Sequence, residues 1–126
     1  MTYTIENAVA IAARLEPLIF ARFNLHLAIG GSLVYRGHSE KDIDVFIYPH
    51  NKEVVIDRNA IWEWLEGEGF TARIKQPIAE DGQESDDFTQ VPDVLVMDET
   101  ATGYKVDFFF MERHTVNPTI PALHAH

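Results

Sequence analysis

Asp42 and Asp44 follow a Gly30-Gly31-Ser32 turn by about ten residues, and Asp107 stands in the apolar run Tyr104-Lys105-Val106-Asp107-Phe108-Phe109-Phe110. Carboxylates are costly to place among apolar strand residues unless a cation compensates them. Side chains two apart on a strand share a face and lie roughly 6.6 Å apart. Asp42 and Asp44 can therefore converge on a pair of metal ions ~3.5–4 Å apart, the arrangement used in two-metal phosphoryl transfer. Asp107 on a neighbouring strand would complete a three-carboxylate cage. Oxygen-only ligands suit Mg²⁺ or Mn²⁺ rather than zinc.

The turn answers the other half of such chemistry. Gly30 and Gly31 let the backbone approach a polyphosphate closely, and the Ser32 hydroxyl with the N–H groups after it can hold phosphate oxygens. Arg36 and Lys41 lie between turn and carboxylates, where a cationic side chain can neutralise phosphate charge, and Lys105 is a further candidate. Taken singly, Arg36 and Lys41 read as ordinary surface charges; their placement raises them. His38, in the same loop, is more simply an exposed histidine than a base. No His-Asp relay accompanies Ser39, so it is not a nucleophile candidate. His124 and His126 form a His-x-His pair, but a terminal pair is poorly preorganised for a metal. Trp62, Trp64 and Leu65, and Phe108 to Phe110, read as core. A bland reading of Asp42 and Asp44 as the solvated face of an edge strand is opposed by Phe46 and Tyr48 on that same face.

The elements that must position these residues follow from periodicity. Ile5, Val9, Ala12 and Leu15 predict an amphipathic helix over 5–15, interrupted at Pro17, where a new turn or helix starts. Residues 25–29 read as a short strand ending in the glycine turn, and 32–35 as a brief helix. Residues 42–48 form a strong strand stopped by Pro49. A helix over 60–68 is capped by Asp57 or Asn59 and closed by Gly69. A strand over 70–76 precedes the acidic run Glu80 to Asp87, which reads as a solvated loop. Strands over 94–97 and 105–111 are joined by a hairpin-length connection containing Gly103. This order predicts an α/β (α+β) fold with a single mixed sheet and helices packed on one side. All 126 residues read as one domain, with 111–126 an irregular tail.

Composition narrows the partners. Ten Lys+Arg against 20 Asp+Glu give a formal charge of −10, which argues against tight, sequence-independent binding to long nucleic acid. A small anionic nucleotide arriving with its own metal remains compatible. No stretch approaches the ~20 apolar residues of a membrane span, and no basic-then-apolar leader opens the chain, so a cytoplasmic protein is expected.

The Gly30-Gly31-Ser32 turn, the Asp42-Ile43-Asp44 pair and Lys105-Val106-Asp107-Phe108 together resemble the DNA polymerase β-like nucleotidyltransferase superfamily. The Arg36, Ser39 and Lys41-Asp42-Ile43-Asp44 pattern is similar to its small bacterial and phage members, including toxin-like ones. The resemblance covers roughly residues 25–48 and 104–110. It implies a nucleotidyltransferase fold and two Mg²⁺ (or Mn²⁺) ions held by Asp42, Asp44 and Asp107. It further implies a nucleotide, ATP or another NTP, gripped by Gly30, Gly31 and Ser32 with Arg36 and Lys41 alongside. The expected reaction moves an NMP to a hydroxyl of an unidentified acceptor: a small molecule, a protein or an RNA end. Asp107 would also help to deprotonate that hydroxyl. Many members carry a helical acceptor-gripping domain after the third aspartate. The stretch after Asp107 is too short for one, so either loops and the tail recognise the acceptor or a partner chain or second copy supplies the missing wall. The alternative is a catalytically silent nucleotide-binding or protein-interaction module on the same fold.

Overall fold

The computed structural model describes residues 2–73 and 93–112. The expectations for 74–76, the acidic run, and the tail from 113 with its histidines lie outside the described residues.

Helix α1 (Ile5–Phe23) begins where Thr4 and Asn7 cap each other: the Asn7 N–H donates to Thr4 Oγ1 at 3.2 Å and the Thr4 N–H to Asn7 Oδ1 at 2.9 Å. It ends at Asn24, whose left-handed backbone lets its N–H donate to the Phe20 carbonyl. The predicted interruption at Pro17 does not occur; the helix runs through it. Proline deletes one backbone hydrogen bond and crowds the preceding turn, at about 3 kcal/mol. The residues Ala8, Ile11, Leu15 and Ile19 lie on one helical stripe spanning Pro17, and all are buried. Each large one stabilises by roughly 1.5–3 kcal/mol, so packing on both sides of the proline outweighs the local defect.

The remaining elements are β1 (Tyr3–Thr4), β2 (Leu25–Gly30), α2 (Ser32–Arg36), β3 (His38–Ser39), β4 (Ile43–Pro49), α3 (Arg58–Gly67), β5 (Phe70–Ala72), β6 (Val94–Glu99) and β7 (Lys105–Phe110). Asp57 caps α3, its side chain accepting from the Ala60 N–H, as one of the two expected caps. Five strands form a mixed sheet in the order β2-β4-β7-β6-β5, in which β4 and β7 run parallel and every other neighbouring pair antiparallel. A two-stranded ribbon of β1 and β3, absent from the expected single sheet, stands beside it.

Alternation along the strands sorts the two faces. Ile43, Val45 and Ile47 of β4 and Val106, Phe108 and Phe110 of β7 are buried in one cluster with Ile11, Leu15 and Ile19 of α1 and Ile61, Trp64 and Leu65 of α3. The opposite face carries Asp44, Phe46, Asp107 and Phe109. Phe109 was expected in the core; it is half-buried on this second face, its ring 5.0 Å from that of Phe46. An odd-numbered position on β7 shares the face of Asp107, and a run of three phenylalanines must split between faces.

Candidate metal centre

Three strands bring the site together. Parallel pairing sets Asp44 of β4 opposite Asp107 of β7, and antiparallel pairing sets Gly30 of β2 opposite Asp44. Residues directly opposite on neighbouring strands project from the same face. Asp42 is not part of β4 as expected; it lies one residue before the strand. The ladder between β4 and β7 begins at the Ile43–Val106 pair. The Asp42 N–H instead lies 3.4 Å from Ser39 Oγ, as does that of Lys41. Ser39 is buried and so ties down the bend that turns Asp42 back toward Asp44. One oxygen each from Asp42, Asp44 and Asp107 lie within 4.8 Å of one another.

Such crowding is electrostatically unfavourable. Burial, then the charges of Asp42 and Asp107, push the Asp44 carboxyl up to about 6. Burial, then Asp42, push Asp107 up to about 6, with Lys105 opposing. Lys105 supplies the compensating charge: its Nζ is 3.1 Å from Asp42 Oδ2 and 3.6 Å from Asp107 Oδ1. Burial disfavours its ammonium, but the hydrogen bond to Asp42 and the two carboxylate charges outweigh that and raise its pKa. Among the described residues, one cation against three carboxylates leaves the site short of positive charge. Asp107 Oδ1 is buried and, among the described residues, accepts no hydrogen bond, an arrangement that normally costs about 1–3 kcal/mol. An all-oxygen donor set with an unused buried oxygen fits a hard divalent cation, and these three residues could hold one.

The glycine turn abuts this cluster. A Cβ on Gly31 would lie 2.0 Å from Asp44 Oδ2, and Gly31 has φ +69°; a Cβ on Gly30 would lie 1.9 Å from the Phe46 ring. Both positions exclude a side chain, so the turn packs directly on the carboxylate and the aromatic ring behind it. Ser32 opens α2 beside them and is exposed. Arg36 closes α2, and Lys41 sits in the bend before β4; both are exposed, and among the described residues neither forms an ion pair with the carboxylates.

Two contributors were not foreseen. Tyr3 on β1 accepts a hydrogen bond from the Lys105 N–H at 3.0 Å. Arg73 grips Asp98 through Nε and Nη2 at 2.9 and 2.7 Å. Asp98 is the cross-strand neighbour of Lys105, so this pairing leaves the lysine to the aspartate cluster. Neither residue sits in a motif; only the pairing of distant segments marks them. Among the described residues, no helix is long and apolar enough to cross a membrane. No protein-family model matches the chain, and no curated protein is significantly similar to it.

Proposed function

We propose that the protein is a metal-dependent nucleotidyltransferase that moves an NMP from an NTP to an acceptor hydroxyl. The observation that carries this reading is the convergence of Asp42, Asp44 and Asp107 against a side-chain-free Gly30-Gly31 turn. Asp42, Asp44 and Asp107 would hold two Mg²⁺ or Mn²⁺ ions, which when bound neutralise phosphate charge and make the acceptor oxygen a better nucleophile. The acceptor oxygen forms its bond to the α-phosphorus as the bond to the β-phosphate bridge breaks, and pyrophosphate leaves. Asp107, with an oxygen free of hydrogen bonds, takes the acceptor's proton. Gly30 and Gly31 give the triphosphate close approach to the backbone, Ser32 offers its hydroxyl, and exposed Arg36 and Lys41 are within the same loop region to meet phosphate charge. The face of β4 and β7 beyond the carboxylates, which carries Phe46 and Phe109, is where the acceptor would lie, with a second copy or partner chain completing its wall.

The test is incubation of the protein with each α-labelled NTP, Mg²⁺ or Mn²⁺, and cell extract. Label transfer that disappears in Asp44→Ala supports the enzyme. NTP binding without transfer under either metal rejects it in favour of a silent nucleotide-binding module.

A further inference from the structure

Lys105 occupies the mouth of the carboxylate cluster. It stands two residues before Asp107 on β7 and therefore shares its face. Its backbone is fixed by the Tyr3 hydroxyl, and the carboxylate opposite it, Asp98, is taken by Arg73. The ammonium accordingly turns to Asp42 Oδ2 and Asp107 Oδ1, two of the three groups that a metal ion would need. A divalent ion of the Mg²⁺ class binds carboxylate oxygen at about 2.0–2.1 Å. An ammonium hydrogen-bonded to Asp42 and ion-paired with Asp107 would then face a like charge at close range. The Lys105 side chain is one-quarter exposed and its stem is flexible, so it has a route outward.

We propose that Lys105 is a resident counter-cation that competes with the divalent metal for Asp42 and Asp107 and is released as an anionic polyphosphate arrives. The inference rests on the metal-site reading above and specifies how that site is loaded. With no metal, the lysine offsets the repulsion among the carboxylates and keeps the site formed. Metal alone must displace it and binds weakly. Metal arriving with a triphosphate gives the displaced ammonium a new anion to pair with, so metal and nucleotide load together. Lys105 is thus a positioning residue whose charge ties metal affinity to nucleotide.

The experiment is Mn²⁺ titration of the full chain, followed by electron paramagnetic resonance, with and without a non-hydrolysable NTP analogue, for wild type, Lys105→Met and Lys105→Gln. Removing the charge is expected to tighten Mn²⁺ binding in the absence of nucleotide by about tenfold or more, and to shrink the tightening that nucleotide brings, as reciprocal coupling requires. Thermal melting gives a second readout: Mn²⁺ should raise the melting temperature of both variants more than that of wild type. Wild-type binding with equal or weaker binding in the variants overturns the competing role while the metal site stands. Absence of Mn²⁺ binding in wild type and variants alike overturns both.

Discussion

Beside the start of β2, Glu16 of α1, His26 of β2 and His50 after β4 form a continuous chain of hydrogen bonds; toward the other end of β2, three aspartates cluster and two of them pair with Lys105. His26 Nδ1 lies 2.8 Å from Glu16 Oε1, and its Nε2 lies 2.8 Å from His50 Nδ1. The second Glu16 oxygen accepts the Leu27 N–H at 2.6 Å, and Phe20 stacks on the His26 ring. Among the described residues, no buried polar atom of that cluster lacks a partner. At the aspartate end a buried oxygen of Asp107 has no hydrogen-bond donor among the described residues, and Asp44 and Asp107 are pushed up to about 6 by burial and then by the charge of Asp42. Both ends lie on the same sheet and are built from ionisable residues. What separates them is completeness: one cluster is satisfied by the fold, and the other is satisfied only by an added cation. That incompleteness, more than the presence of acidic residues, distinguishes a ligand site from a structural network.

The largest expected effect lies at the unsatisfied end. Asp44→Ala and Asp107→Ala should each lower NMP transfer by on the order of 10³-fold and abolish Mn²⁺ binding, while urea denaturation shows both variants folded. Transfer persisting within tenfold of wild type would remove these residues from the chemistry. Next comes Gly31→Ala, which sets a Cβ against Asp44 and strains a backbone at φ +69°. It should destabilise by about 1–3 kcal/mol in urea melts and weaken Mn²⁺ binding. Gly30→Ala, which collides with Phe46 instead, should cost about 1–3 kcal/mol of stability while disturbing the metal site less.

A pH series sharpens the contrast between the two ends. The folded-state values of about 6 for Asp44 and Asp107 lie above the ordinary 3.8, so ionising these groups opposes folding. Their favourable contribution is complete below the unfolded value and is lost as pH rises through about 6. In chelator, Asp44→Asn should therefore gain stability relative to wild type as pH increases through that window. A wild-type-minus-variant difference that stays flat across it would show that the carboxylates are not strained. The smallest effect is expected at the satisfied end. Glu16→Gln should cost on the order of 1 kcal/mol or less, since the Leu27 hydrogen bond can survive through the amide oxygen. Mn²⁺ affinity should not change, and a parallel loss there would mean that the two ends are coupled through the sheet.

Much of this was legible in local pattern. Strand alternation assigns Asp44 and Asp107 to faces, the helical stripe of α1 is visible in its apolar spacing, and Asp57 announces the start of α3. The mixed sheet with helices was readable from element order. Other features were decided only by the folded chain. Pro17 argues locally for a break, and the buried side chains on either side of it overrule that argument. Asp42 lies outside β4 because Ser39 Oγ, not the ladder, meets its backbone. Lys41 and Arg36 are near the aspartates in sequence, yet among the described residues it is Lys105 that pairs with Asp42 and Asp107. The sequence by itself determined which residues carry the charge and which face each strand residue takes, because alternation is a property of a few consecutive bonds. Tertiary structure alone decided that β4 and β7 run parallel with Asp44 opposite Asp107, because register is set by packing between segments some sixty residues apart.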